Sequence, residues 1–295
     1  MTAKERGFLL LTSTLGDPDR KPLTVAQFRT LAARAAQMDQ PPENRELYPD
    51  DLVKLGYDRQ TAQRILNLLD GKRALDKYIR RGKQWDCVPL SRAGETYPTA
   101  VRQRLGLEAP GCLWAKGDLN ILSTQMIALV GSREIRKENR QFAEKAGFEA
   151  ARQGMTLVSG DARGADRTAQ NICLDAGGKV ICVVADELYK HPLRENVLYL
   201  SEDSYDLPFS GYRALSRNRV IHALGYKTLV AQCSAGTGGT WDGTVRNLRN
   251  SWSPVFCFDD GSPACKALQQ LGATLIKTEQ LSDIAVLQQD IQKLI

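Results

Sequence analysis

Leu129-Val-Gly-Ser-Arg133 and Val158-Ser-Gly-Asp-Ala-Arg-Gly-Ala-Asp166 each follow an apolar run and precede a helix-like segment. A glycine-rich turn at such a junction leaves backbone N–H groups and the positive end of the helix free to face an anion. Arg133 and Arg163 add charge to the two turns. Strand, glycine turn and helix form the repeating unit of an α/β sheet, and the pattern continues outward. Strands are predicted over 126–130, 155–158, 180–184, 228–231, 255–258 and 274–276. A helix predicted over 138–153 repeats Phe142, Ala146 and Ala150 at every fourth position. Gly154, Gly177-Gly178, Gly225 and Gly272 stand where helices should stop before strands. Near-continuous apolar strands alternating with helices imply a parallel sheet covered on both faces, an extended Rossmann-like α/β domain over 125–295.

Upstream the pattern is helical. Thr24 is a predicted N-cap for a helix reaching Met38, Pro41-Pro42 interrupts it, and a second helical stretch runs from 50 to 69. Within that stretch, Leu52-x-x-Leu55-Gly56 leading to Ala62 and Ile65 has the outline of a helix-hairpin-helix element without its paired glycines. Residues 1–85 therefore read as a small helical domain of the SAM or helix-hairpin-helix type, and 86–124, punctuated by Pro89, Pro98, Pro110 and Gly111, as a connecting segment.

The chain carries 40 Lys and Arg against 34 Asp and Glu, a net charge of +6, of which +5 falls in residues 1–85. Lys72, Arg73, Lys77, Arg80, Arg81 and Lys83 crowd one short stretch, which reads first as a solvated helix face. Seven cysteines are scattered with no CxxC pair and only two histidines accompany them, so neither a zinc site nor a disulfide framework is expected. Neither a signal peptide nor an apolar span of membrane length is visible, and a cytoplasmic location is expected.

Ligands of open α/β sheets bind beyond the carboxyl ends of the strands, where strand order reverses. With the usual order, the first, second and fourth strands are neighbours, and their turns converge on one crevice. The third turn, Ser234-Ala-Gly-Thr-Gly-Gly-Thr240, contributes Thr237, Gly238, Gly239 and Thr240; the others contribute Ser132, Arg133, Gly160 and Arg163. Glycines permit close backbone approach, hydroxyls add donors, and guanidinium groups grip phosphate oxygens in pairs. Asp166 is expected to cap the following helix or to orient an arginine. Arg217, Asn218 and Arg219 form a further basic patch, read as the start of a helix. Cations there oppose the helix dipole, and a bound anion would relieve the conflict. The P-loop pattern Gly-x-x-x-x-Gly-Lys-Ser/Thr is absent and Gly236-Thr-Gly238 lacks a third glycine, so neither ATP nor NAD is expected, and no cofactor is assigned.

The combination Gly-Ser-Arg, Ser-Gly-x-Ala-Arg-Gly-x-Asp and Arg-Asn-Arg resembles the DprA/Smf family of DNA-processing proteins. The resemblance extends to Tyr97-Pro98, Leu113-Trp-Ala-Lys-Gly-Asp-Leu119, His191-Pro-Leu-Arg-Glu-Asn196 and Leu271-Gly-Ala-Thr-Leu-Ile276, or roughly residues 90–276. It implies a non-catalytic protein, commonly a homodimer, that holds single-stranded DNA and hands it to a RecA-type recombinase, with no membrane partner. Carried across, its pocket comprises Ser132, Arg133, Gly160, Arg163, Arg217, Asn218 and Arg219, with Lys190 beside it. Nearby aromatics such as Tyr212 or Phe209 are candidates for stacking on bases. Asp161 stands where relatives carry an apolar residue, the 234–242 turn departs from the family's pattern, and no C-terminal winged-helix domain is expected before Ile295. The alternative is a Rossmann-like sensor or hydrolase of a small nucleotide. Nucleotide-cleaving relatives carry a glutamate after the glycine turn, and here none occurs between Glu202 and Glu279.

Overall fold

The computed structural model describes residues 1–17, 19–38 and 47–289. The helix expected to reach Met38 ends earlier, at Ala35, and the Pro41-Pro42 interruption lies outside the described residues. A nine-stranded sheet organises the molecule, in the order β1-β2-β6-β5-β4-β3-β7-β8-β9. Its parallel part contains β3 (Met126–Val130), β4 (Thr156–Ser159), β5 (Lys179–Val184), β7 (Lys227–Val230), β8 (Val255–Phe258) and β9 (Thr274–Ile276), matching the six predicted strands, together with β6 (Val197–Glu202), which runs parallel to β5. The turns after β4, β3 and β7 are neighbours, as the expected order requires.

Alternation along each strand assigns its side chains to two cores. Ile127, Leu129, Leu157, Val180, Cys182 and Leu229 face the layer formed by α7 (Lys137–Arg152) and α8 (Ala165–Asp175). Ala128, Val130, Val158, Ile181, Val183 and Val230 face the opposite layer. There they meet α6 (Thr99–Leu105), α10 (Asn218–Leu224), α11 (Gly239–Asn250) and α12 (Pro263–Gln270). A sheet buried on both faces explains why its strands read as unbroken apolar runs. Helices α7 and α8 touch almost backbone to backbone: a Cβ on Gly147 would lie 2.1 Å from the Ala169 carbonyl oxygen.

Three strands have no counterpart in the sequence expectation. Residues 86–124, read as a connecting segment, hold β1 (Val88–Ser91) and β2 (Cys112–Gly117), and β6 (Val197–Glu202) is also new. β2 runs antiparallel to β6 and β1 antiparallel to β2, so the parallel sheet gains an antiparallel margin. Pro89 is tolerated because β1 is the edge strand.

The amino-terminal helices are α1 (Ala3–Thr12), α2 (Val25–Ala35), α3 (Pro49–Lys54), α4 (Arg59–Leu69) and α5 (Lys72–Lys83). Thr24 caps α2 as expected, its side chain accepting from Gln27 N while the Gln27 side chain accepts from Thr24 N. The helix expected over 50–69 is divided: Gly56, at φ +84°, turns the chain and Asp58 caps α4. Leu31, Leu52, Ala62, Ile65 and Leu68 form a small core of their own. Leu9, Leu10, Leu75 and Tyr78, by contrast, join the core beneath the sheet. Tyr78 stacks on Tyr205 at 4.7 Å and meets Trp114 edge-on at 5.3 Å.

Candidate nucleic-acid interface

The three glycine turns enclose a crevice of ≈ 500 Å³ at the carboxyl ends of β3, β4 and β7. The first two turns need their glycines for specific reasons. A Cβ on Gly131 would come within 2.3 Å of Ala165 Cβ, and Gly164, at φ +89°, lies under the Ser132 and Arg133 carbonyls. A Cβ on Gly160 would land 1.5 Å from Arg217 Nη1. Gly160 therefore makes room for a guanidinium and lies beneath it.

Arg217 is 7% exposed and donates through Nη1 to the Val183 carbonyl at 2.7 Å, while its buried Nε has no protein partner among the described residues. Burial lowers its pKa; Asp166 and Asp161 hold it up, and neighbouring Arg133 pushes it down. Asp166 Oδ2 accepts from Gly160 N at 3.0 Å and Ala162 N at 3.4 Å. It therefore braces the second turn, with Arg217 near enough for the two charges to influence each other. Burial raises its pKa to about 6, against the opposing pull of Arg217 and the two amides.

Arg217 does not stand at a simple helix start. It is both the C-cap of α9 (Gly211–Ser216) and the residue preceding α10. The arginine thus lies at the favourable, negative end of one short helix as well as the unfavourable end of another. Asn218 Nδ2 donates to the Gly239 carbonyl at 2.9 Å, and Thr240 Oγ1 to the Gly131 carbonyl at 3.0 Å. These two side chains clamp the third turn in place.

The remaining polar surface is available to a ligand. Gly238 precedes α11 and supplies no side-chain cap, so the first-turn amides of a twelve-residue helix open on the crevice beside Thr237. Ser132 Oγ accepts from Glu134 N at 3.2 Å and keeps its own proton to donate. Arg133 lines the same wall. Buried His222 accepts from Asn247 Nδ2 at 3.1 Å through Nδ1, and desolvation pushes its pKa down to about 3, leaving it neutral. Asp161, whose charge stood out in the sequence, takes the left-handed conformation at φ +55° and pairs with Arg167 at 3.2 Å.

Of the sequence-selected residues, Ser132, Arg133, Arg217, Asn218, Thr237, Gly238, Gly239 and Thr240 line the crevice, with Gly160 beneath Arg217. The other three lie elsewhere. Arg163 faces a second groove and sits 3.6 Å from Glu134. Lys190 is exposed and bonds Glu187 at 2.7 Å. Arg219 turns away, bonding the Glu108 and Ser216 carbonyls and pairing with buried Glu202 at 3.4 Å. Sequence reading passed over Arg213, which donates to the Ala185 and Leu207 carbonyls at 2.8 and 2.7 Å and to Ser201 Oγ at 2.8 Å. It stands one helical turn before Arg217 in the chain, and nothing in the sequence distinguishes this structural arginine from Arg217.

The profile describing DNA recombination-mediator protein A matches residues 90–287. The chain belongs to that family. Among related family proteins, DNA processing protein DprA of Streptococcus pneumoniae is 29% identical over 186 residues, covering 59% of this chain and 66% of that protein. Protein Smf of Escherichia coli is 31% identical over 219 residues, covering 65% of this chain and 58% of the relative. The matches thus span less than two thirds of either relative's length. The X-ray structure of the S. pneumoniae DprA has a TM-score of 0.74 at 24% identity, over 98% of this chain and 99% of that one. A DprA of Helicobacter pylori, described for its single-stranded DNA binding mode, has a TM-score of 0.57 at 23% identity, over 67% and 94%. Both share the family's fold with this chain. Among the described residues no cluster suited to a metal ion is present, and no helix is long and apolar enough to cross a membrane.

Proposed function

We propose that the protein binds single-stranded DNA without transforming it, seating backbone phosphates in the crevice between Arg133, Arg217 and the amino terminus of α11. The observation that carries this reading is the meeting of two mutually repelling arginines with an uncapped helix end on one crevice. A phosphate placed there would be attracted by all three. Asp166, the carboxylate that lines the crevice among the described residues, is committed to two backbone amides. That commitment favours binding over hydrolysis. Tyr212 and Phe209, 80% and 56% exposed and close in sequence to crevice-lining Gly211, are available for base stacking.

The family relationship favours the same reading and extends it to a cytoplasmic homodimer that passes DNA to a RecA-type recombinase. Sedimentation and a strand-exchange assay with purified recombinase test these two steps. For binding itself, anisotropy of a labelled oligothymidylate should show salt-sensitive association, with log affinity falling by about 0.7 per log unit of salt for each phosphate neutralised. Duplex DNA should compete poorly. A second reading, sensing of a small nucleotide, draws on the open Gly236–Thr240 turn at α11. Calorimetry with a panel of nucleotides separates the two.

A further inference from the structure

A second groove of ≈ 860 Å³ opens beside the crevice, where the turn after β3 and the first half of α7 face the start of α8. Arg133, Arg136, Arg140, Arg163 and Arg167 line it, against a single lining carboxylate, Glu134. Arg133 also lines the crevice, so the two depressions meet at one guanidinium. Resting on the proposed single-stranded DNA binding, we infer that this groove is a second phosphate-binding track, which carries the strand out of the crevice and along α7 and α8.

The partners of these arginines suit them to that role. Arg163 and Glu134 are 3.6 Å apart and 75% and 90% exposed, while Arg167, paired with Asp161, is 60% exposed. Arg136, 55% exposed, pairs with Asp260, and Arg140 donates to the Thr168 hydroxyl at 3.3 Å. The Arg163–Glu134 pair is exposed on both sides and only weakly held, whereas Arg136 is tied to Asp260, whose side chain is buried. A bidentate guanidinium–phosphate contact is stronger, so Arg140, Arg163 and Arg167 can exchange their partners for a phosphodiester at little cost, while Arg136 stays with buried Asp260. No aromatic side chain lines the groove among the described residues, whereas hydroxyl and amide groups from Thr168 and Asn171 do. The track therefore reads the sugar–phosphate chain and not the bases, and its contribution is independent of sequence.

Oligomer length separates the track from the crevice. Labelled oligothymidylates of about 6 and about 20 nucleotides bracket a crevice-sized and a track-spanning ligand. Arg140→Ala with Arg167→Gln should weaken binding of the longer oligomer about fivefold or more and reduce its salt slope by about 0.7 for each phosphate left without its arginine. The shorter oligomer should bind as it does to the unmodified protein. Arg140→Ala alone, which keeps the Arg167–Asp161 pair intact, should shift the longer oligomer in the same direction by a smaller factor. Unchanged affinity and slope for the longer oligomer in both variants would overturn the track. Equal weakening of both oligomers would also overturn it, placing the effect in the crevice. Failure of the unmodified protein to bind either oligomer would instead overturn the single-stranded DNA reading on which the track depends.

Discussion

Arg133 and Arg217 contribute to the crevice in different ways, and substitution should separate them. Arg133 lines the wall of both depressions, whereas Arg217 is buried on the floor against Asp166 and the Val183 carbonyl. Arg133→Ala should reduce affinity for single-stranded DNA about tenfold, equivalent to about 1.4 kcal/mol, with the melting temperature unchanged. Arg217→Ala should reduce affinity and also destabilise the fold by about 3 kcal/mol, because it leaves a buried carboxylate without its cation. Anisotropy together with thermal denaturation of both variants reads the difference. Asp166 adds a pH dependence. Its native pKa, about 6, lies above the ordinary 3.8, so the folded state holds the proton more tightly and this group's contribution to stability falls as pH rises between those values. Protonation also removes the negative charge that faces Arg217, with Asp161 as the other nearby carboxylate. Affinity should therefore rise as pH falls through about 6, and Asp166→Asn should abolish that component of the pH profile.

The glycine turns were legible in the sequence because each lies between a buried strand and a helix, and strand order then brought them together. The elements that escaped are those with weak local signals. β1 has four residues and contains Pro89, β2 ends in Lys116-Gly117, and β6 ends in Ser201-Glu202. Their identity as strands is fixed by pairing, of β1 with β2, of β2 with distant β6 and of β6 with β5, which no local periodicity reveals. The division between α9 and α10 was hidden for a related reason: Arg217 keeps helical dihedrals, so the interruption leaves no glycine or proline behind. Direction of side chains was likewise invisible. Three arginines in one short stretch (213, 217 and 219) separate into a carbonyl clamp, a crevice floor and a partner for Glu202. At this scale the packing of α7 on α8 leaves no room for a larger side chain at Gly147. Gly147→Val would drive side-chain atoms into the Ala169 backbone, and a destabilisation of about 2–3 kcal/mol, measured by urea denaturation, is expected.

Across the whole molecule, the amino-terminal helices and the sheet share a core. Tyr78 on α5 packs on Tyr205 and Trp114, and its hydroxyl lies 2.5 Å from Ser204 Oγ. Residues expected to form a separate helical unit are thus joined to the antiparallel margin that the sequence did not disclose. Tyr78→Ala should destabilise the protein by about 3–5 kcal/mol through the cavity it leaves. In the unmodified protein, helical circular dichroism and tryptophan fluorescence should report one coincident unfolding transition. Two separated transitions would show that the helical region and the sheet fold independently.

The central claim is that the crevice holds single-stranded DNA by its phosphates. Anisotropy of a labelled oligothymidylate of about 30 nucleotides, titrated with salt and competed with duplex, tests it most directly. Binding that weakens steeply with salt, resists duplex competition and falls about tenfold in Arg133→Ala is the predicted result. Absence of binding at low salt, or binding indifferent to Arg133, would contradict it.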